Sequence, residues 1–154
     1  MKKIPIIILL IAIYSLGMSC QGYAAIMADG PYEKFHSNGK LRKKGAYING
    51  KREGLFQIYY GNGILREEGF YKNDKREGMH KEFYKNGSIK TIESFSNNQL
   101  EGVMLKFYPN GSIRSFGIYA KGRVQTLQKY TEDGKLVYQT VSTDTPQDSS
   151  LVLK

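Results

Sequence analysis

The chain has 154 residues, room for one domain, and its 17 glycines, 12 tyrosines and lack of tryptophan favour short strands and tight turns over a helical bundle. Its single cysteine, Cys20, excludes an internal disulfide and a cysteine-based metal site. The net charge of +9 favours anionic partners such as acidic proteins, lipid headgroups or nucleic acid, and a basic surface that only maintains solubility explains it equally well.

Residues 1–24 predict a secretory signal peptide. Lys2 and Lys3 precede the apolar run 4–14, and small residues follow as far as Ala25. An apolar run of this length is typical of a signal-peptide helix and is short for a membrane span. We therefore expect export from a bacterial cell to the periplasm, the cell envelope or the medium, and export disfavours nucleic acid as a partner. Without Lys2 and Lys3 the charge is still about +7.

Two routes of processing stay open for this leader. Gly22-Tyr23-Ala24 offers a small-x-small cleavage site, after which a soluble protein would be released. The stretch 16–20 resembles a bacterial lipobox, in which Cys20 becomes lipid-anchored, although Gly17 stands where that pattern has leucine. If the first route is used, Cys20 is discarded with the leader.

The rest of the sequence is a tandem repeat with a period of 24 residues. Complete units begin at Gly30, Gly54, Gly78 and Gly102, and a partial fifth unit covers about 126–138. Each unit reads as strand, Asn-Gly turn, strand and closing turn, which predicts an all-β, elongated, single-layer antiparallel meander of stacked hairpins. We place the repeat domain at 25–138 and expect 139–154, which has no period, to be a flexible tail.

The Asn-Gly turn determines which side chains share a face of the sheet. In 107–113, Pro109 suits the first central position of a type I turn and Asn110 the second, which favours a three-residue loop closed by a left-handed glycine. Such a loop places Phe107 opposite Ile113. With simple alternation beyond the turn, Tyr119 is predicted on the same face, together with Val103 and Leu105.

The opposite face is predicted to carry a tyrosine row beside a cation row. The tyrosine row is Tyr60, Tyr84 and Tyr108, with His36 at the same place in the first unit, and the cation row is Arg42, Arg66, Lys90 and Arg114. Tyrosine and arginine are common at protein-interface hot spots, so these seven residues form a candidate binding face. Cross-strand packing of tyrosine against arginine in the absence of a ligand explains the pattern as well.

The motif of the second unit resembles a known family. Tyr59-Tyr60-x-Asn62-Gly63-x-Leu65, followed by Gly69-x-Tyr71 and a closing turn, is similar to the MORN repeat variant, whose bacterial tandem members are often labelled YwqK-type antitoxins. The resemblance covers about 30–138 and implies a single-layer meander whose units contact only their neighbours. Its antitoxin label implies an inhibitor of a protein toxin, whereas related repeats serve as scaffolds and membrane-proximal modules. It implies no catalytic residue.

The sequence itself offers little chemistry. His36 and His80 are the only histidines, and we interpret both as substitutes for exposed aromatic residues. Glu53, Glu77 and Glu101 recur at the closing turns, where a carboxylate is expected to accept hydrogen bonds from backbone N–H groups or to offset nearby arginines. We therefore predict no catalytic residue, no metal site and no cofactor.

Two functions from different classes follow from these observations. The first is an exported, non-enzymatic interaction module that binds a protein with an acidic surface, in its specific form an antitoxin or immunity protein. The alternative is an envelope-associated binder of anionic lipid or glycan through the basic Tyr/Arg face. An enzyme is not expected.

Overall fold

A computed structural model describes residues 29–142 of the chain. The predicted signal peptide, Cys20 and the tail beyond residue 142 lie outside the described residues, as do both processing routes. Within residues 29–142, no helix is long and apolar enough to cross a membrane.

The described chain forms one antiparallel sheet of eleven strands that follow each other in sequence order. β3 is a two-residue strand that pairs only with β2, and the other ten strands form the continuous path. The strands are β1 (Gly30–Phe35), β2 (Leu41–Ile48), β3 (Lys51–Arg52), β4 (Gly54–Tyr59), β5 (Leu65–Lys72), β6 (Lys75–Phe83), β7 (Ile89–Ser96), β8 (Gln99–Phe107), β9 (Ile113–Ala120), β10 (Arg123–Tyr130) and β11 (Leu136–Val141). The prediction of an all-β meander of repeats is confirmed. Because β11 ends at Val141, the sheet extends three residues beyond the predicted boundary at residue 138.

The Asn-Gly hairpins have the predicted three-residue loop. In the fourth unit, the Tyr108 N–H donates to the Ser112 carbonyl at 2.8 Å and the Gly111 N–H donates to the Tyr108 carbonyl at 2.9 Å. Gly111 has φ 90°, a conformation that residues with a side chain rarely adopt. Phe107 pairs with Ile113, as the loop requires. The same two backbone hydrogen bonds close the other four hairpins of this type.

The prediction that Tyr119 shares a face with Phe107 and Ile113 is wrong. Phe107 pairs with Ile113, but Lys106 pairs with Ser115, so Arg114 is an additional residue on β9. A bulge of this kind shifts the alternation by one position. Beyond it, Tyr119 points to the face of Met104, and its equivalents in the other units do the same because the bulge recurs at each hairpin.

The sheet has one partly buried face and one exposed face. On the first, which we call the ladder face, aromatic rings from successive strands contact each other edge to face with centroids 5.2–5.4 Å apart. The rings are Tyr32, Tyr47, Phe56, Tyr71, His80 and Phe95. The three buried apolar residues of the described chain, Phe56, Phe95 and Met104, lie on this face. The other face, which we call the open face, contains no buried side chain among residues 29–142.

Glycines on the ladder face make room for rings of the following unit. A Cβ atom added at Gly45 would lie 2.6 Å from the Phe56 ring, and one added at Gly69 would collide with the His80 ring. The third unit has Glu93 at this place, and there the residue that pairs with it is Met104, whose flexible side chain replaces the ring. The glycine column therefore exists because each unit packs its ring on the backbone of the unit before it.

Candidate functional site

The tyrosine row joins successive units through its hydroxyl groups. The Tyr60 hydroxyl donates to the Phe83 carbonyl at 2.8 Å, and the Tyr84 hydroxyl donates to the Phe107 carbonyl at 2.7 Å. The Tyr108 hydroxyl donates to the Tyr130 carbonyl at 2.9 Å. Each bond connects residues 22 or 23 positions apart, so the half-buried rings link successive hairpins. Their hydroxyl hydrogens are already used in these hydrogen bonds.

His36 takes the same role in the first unit. Its Nε2 atom lies 3.0 Å from the Tyr59 carbonyl oxygen, at the 23-residue spacing of the tyrosines. Because a carbonyl only accepts, Nε2 must carry the hydrogen and donate. His36 does substitute for an aromatic residue, with a hydrogen bond of the same kind, but it is half-buried and not exposed as expected.

His80 also substitutes for an aromatic residue, but the prediction that it is exposed is wrong. It is 6% exposed, sits between the rings of Tyr71 and Phe95, and donates from Nε2 to the Phe70 carbonyl at 2.8 Å. Burial lowers the pKa of His80, and the nearby Arg76 guanidinium lowers it further, against the effect of the hydrogen bond. His80 is therefore a neutral member of the ladder.

The glutamates of the closing turns accept backbone hydrogen bonds, as predicted. Glu53 accepts from the Asn73 N–H at 2.8 Å and Glu77 from the Asn97 N–H at 2.9 Å, each in the next closing turn along the sheet. Glu101 accepts in the same way from the Lys121 N–H at 2.6 Å. These carboxylates are therefore committed to turn structure, one per unit.

The cation row lies on the ladder face, next to the tyrosine row. All four of its members are exposed. Tyr60, Arg66 and Lys90 line a cavity of about 310 Å³, together with Glu67 and Glu82, and we call it the central cavity. Lys90 Nζ lies 3.0 Å from a Glu82 carboxylate oxygen. The hydrogen bond and the charge of Glu82 raise the pKa of Lys90. In this cavity, cations and carboxylates are balanced.

Tyr108 and Arg114 line a second and larger cavity, of about 470 Å³, which we call the C-terminal cavity. It is lined by three cations (Lys106, Arg114, Lys129), three tyrosines (Tyr108, Tyr119, Tyr130), three aliphatic residues (Met104, Leu127, Val137) and Ser115. Lys129 also lies 5.0 Å from the centroid of the Tyr138 ring. The structure thus brings five of the seven predicted face residues to two cavities. That these seven residues form a binding face stays a prediction.

Sequence reasoning missed a row of exposed apolar side chains on the open face. Leu55, Phe70 and Met79 line one shallow groove, and Val103 pairs with Ile118 further along the same face. We call these five residues the apolar row, and they are 40–54% exposed. The repeat contained the signal, because these positions are next to the ladder positions in each strand and therefore alternate with them.

The histidines and turn glutamates that the sequence singles out have structural hydrogen bonds. Within residues 29–142, no three histidine, cysteine or acidic side chains converge to hold a metal ion. The two histidines donate to backbone carbonyls, and the recurring turn glutamates accept from backbone N–H groups.

Comparison with known proteins identifies the repeat. The family described as MORN repeat variant matches residues 28–49, 52–73, 76–97 and 100–116, more than half of the chain and in register with the four complete units. A search of curated proteins returns no match to the chain.

Proposed function

The chain belongs to the MORN repeat variant family, and from this membership we propose that it is an exported, non-enzymatic module that binds an acidic protein. MORN repeats are generally interaction modules, and the family is not a known enzyme family. A one-layer sheet exposes two faces along its whole length, so a large part of the chain is available to a partner.

The apolar row of the open face is the observation that carries this proposal. Its side chains stay about half exposed in the folded chain, and Leu55, Phe70 and Met79 line one groove. Exposed apolar surface of this kind is typical of interaction sites. The neighbouring side chains Glu68 and Lys81 form an ion pair at 3.4 Å and so provide a polar rim. The net charge of about +7 without the leader favours acidic partners and accelerates their association.

The specific form of the proposal is an antitoxin or immunity protein of the YwqK type that covers the active surface of a toxin. Export by the N-terminal leader would place this chain in the periplasm, the envelope or the medium, so it would meet the toxin there. Genes of immunity proteins usually lie beside those of their toxins, so the product of the neighbouring gene is the partner to test first.

The experiment measures binding of the purified mature chain to that neighbouring gene product by calorimetry. Phe70→Ser together with Met79→Ser should weaken binding about tenfold or more, because interface hot spots are central and apolar. The matched control is Phe35→Ser with Ile48→Ser, two exposed apolar residues in the first unit, which should change affinity less than threefold. Equal affinity for the chain and its Phe70/Met79 variant would reject the apolar row as the contact surface.

Export and anchoring are tested separately, on the intact precursor in bacteria. Mass spectrometry of the mature N-terminus distinguishes cleavage after Ala24 from processing before Cys20. Palmitate labelling that disappears in Cys20→Ser would demonstrate a lipid anchor. A full-length chain in the cytoplasmic fraction would contradict export.

The alternative, binding of anionic lipid or glycan through the Tyr/Arg face, is supported by the cation row. Its members are exposed, and within residues 29–142 only Lys90 among them has a carboxylate within 4 Å. This reading predicts salt-sensitive binding to anionic vesicles or acidic glycan that is lost in Arg66→Glu with Arg114→Glu. Vesicle binding that this double variant retains would reject it.

A further inference from the structure

We propose that the C-terminal cavity binds a soluble phosphate monoester carried on an aromatic or apolar body. Its volume of about 470 Å³ lies within the range of small-molecule sites, roughly 300–1,000 Å³. The site is on the ladder face, opposite the apolar row, and it therefore does not depend on the proposed protein-binding function.

The central cavity, which is built from an earlier part of the repeat, can be compared with the C-terminal cavity residue by residue. The central cavity lies two units earlier, with Tyr60 and Arg66 at the places of Tyr108 and Arg114. In the central cavity Glu67 pairs across strands with Glu82. At the equivalent place in the C-terminal cavity, Ser115 pairs with Lys129. Two carboxylates have been replaced by a hydroxyl and an ammonium group.

The replacement leaves three cations with no carboxylate in the lining. Within the described part of the chain, no carboxylate lies within 4 Å of Lys106, Arg114 or Lys129. Glu93 is the acid that interacts with Lys106 from the neighbouring strand, and burial raises the pKa of its carboxyl. Three cations that converge in a lining without a carboxylate fit a dianion, and an arginine among them offers two parallel hydrogen bonds to a phosphate.

The walls determine what the phosphate is attached to. Met104, Leu127 and Val137 present aliphatic surface. Tyr108 adds an aromatic ring, and its hydroxyl already donates to the Tyr130 carbonyl at 2.9 Å. A free phosphate ion would leave these walls uncovered, whereas an aromatic or apolar body would bury against them.

The test uses the chain labelled with carbon-13 on its methionine methyl groups. Met104 lines the cavity, whereas Met79 lies on the open face and is the internal control. Titration with phenyl phosphate should shift the Met104 resonance to saturation and leave Met79 unchanged. Inorganic phosphate should bind about tenfold more weakly, because it buries no ring. A Met104 resonance that does not respond to phenyl phosphate would overturn the proposal.

A charge-neutralising pair of variants tests the cations. Arg114→Gln with Lys129→Gln should reduce the affinity for phenyl phosphate about tenfold or more, as expected when charged hydrogen-bond donors are lost. Lys121→Gln with Lys135→Gln removes the same charge from exposed turn residues outside the cavity and should leave the affinity within about twofold. Equal losses in both variants would indicate unspecific attraction and overturn the proposal.

A gain-of-function variant tests the comparison between the cavities. Glu67→Ser with Glu82→Lys gives the central cavity the serine and the lysine found at these two places in the C-terminal cavity, so calorimetry should detect a second site for phenyl phosphate. A folded variant with one site would contradict the charge argument. Vesicles that contain phosphatidic acid test whether the phosphate group belongs to a lipid, and vesicles of phosphatidylcholine are the control. If the chain binds phosphatidic acid vesicles but Met104 does not respond to phenyl phosphate, the proposal of a soluble ligand is overturned.

The phosphate-binding proposal and the protein-binding function can be rejected independently of each other. Phe70→Ser with Met79→Ser should leave phenyl phosphate affinity unchanged, because the apolar row faces away from the cavity. Loss of phenyl phosphate binding in that folded variant would contradict the assignment to the ladder face.

Discussion

The two ends of the ladder face use one repeat to build different surfaces. From β1 to β7, rings pack edge to face, over Gly45 and Gly69, and close the surface beside the smaller central cavity. From β8 to β11, Met104 and Leu127 occupy the ring positions, and the surface opens into the C-terminal cavity. The backbone pairing is the same in both regions. A repeat scaffold can therefore change the size and the charge of a surface cavity by side-chain replacement alone.

The largest expected effect comes from breaking the closed end with Gly69→Ala. The new Cβ would collide with the His80 ring, which is held between Tyr71 and Phe95, so we expect a loss of about 3 kcal/mol in the free energy of unfolding. Gly61→Ala is the matched control, since a Cβ there meets nothing within 4 Å. Urea unfolding measures both, and equal stability of the two variants would show that rings do not pack on glycine.

Gly117→Ala is expected to cost less, because the open end can adjust. The nearest atoms would be Tyr119 Cε2 at 2.8 Å and Met104 Cε at 3.2 Å, which belong to side chains, and the Thr126 backbone oxygen at 3.3 Å. We expect a loss of about 1–2 kcal/mol in the same urea unfolding experiment. A loss as large as that of Gly69→Ala would remove the distinction between the two ends.

Tyr84→Phe tests the tyrosine hydrogen bonds between units, which occur at both ends of the sheet. It removes one hydroxyl donor from the Phe107 carbonyl, a bond of 2.7 Å, and should lower the free energy of unfolding by about 1 kcal/mol. Tyr32→Phe, whose ring lies in the ladder, is the control and should change stability by less than about 0.5 kcal/mol. Thermal unfolding of both variants measures the two changes in stability. Equal stability of the two variants would show that the Tyr84 hydroxyl does not help to join the units.

The smallest expected effect is a dependence of stability on pH that is caused by His80. Its folded pKa is lowered from 6.5 by burial, with Arg76, Arg52 and Glu67 as the charges around it. The unfolded chain therefore takes up the proton first, and stability should fall as the pH falls below about 6.5.

His80→Phe, which repeats the residue found at position 56, should flatten the stability profile below pH 6.5. Glu93 acts in the opposite direction, because burial raises its pKa from 4.5 and favours the folded chain where the carboxyl is protonated. The comparison is therefore made between the chain and its His80→Phe variant by urea unfolding at pH 8 and pH 5.5. Identical profiles would contradict a buried neutral histidine.

Much of the fold could be read from local signals. The period of 24 residues, the Asn-Gly turns and Pro109 predicted the meander and the pairing of Phe107 with Ile113. The face of Tyr119 could not be predicted by alternation, because the bulge at Arg114 depends on how the strand leaves the turn. The same holds for the candidate site. The tyrosine row could be predicted from the sequence, but the hydrogen bonds from its hydroxyl groups to the next unit could not.

The sequence by itself determined the repeat, its turns and the order of strands, since each depends on residues that are close along the chain. Only the tertiary structure decided what the faces do. Packing between units buried His80, engaged the tyrosine hydroxyls and left the apolar row exposed. It also brought Lys106, Arg114 and Lys129, which belong to three strands, to one cavity. Side chains meet across strands at distances that a linear pattern does not encode.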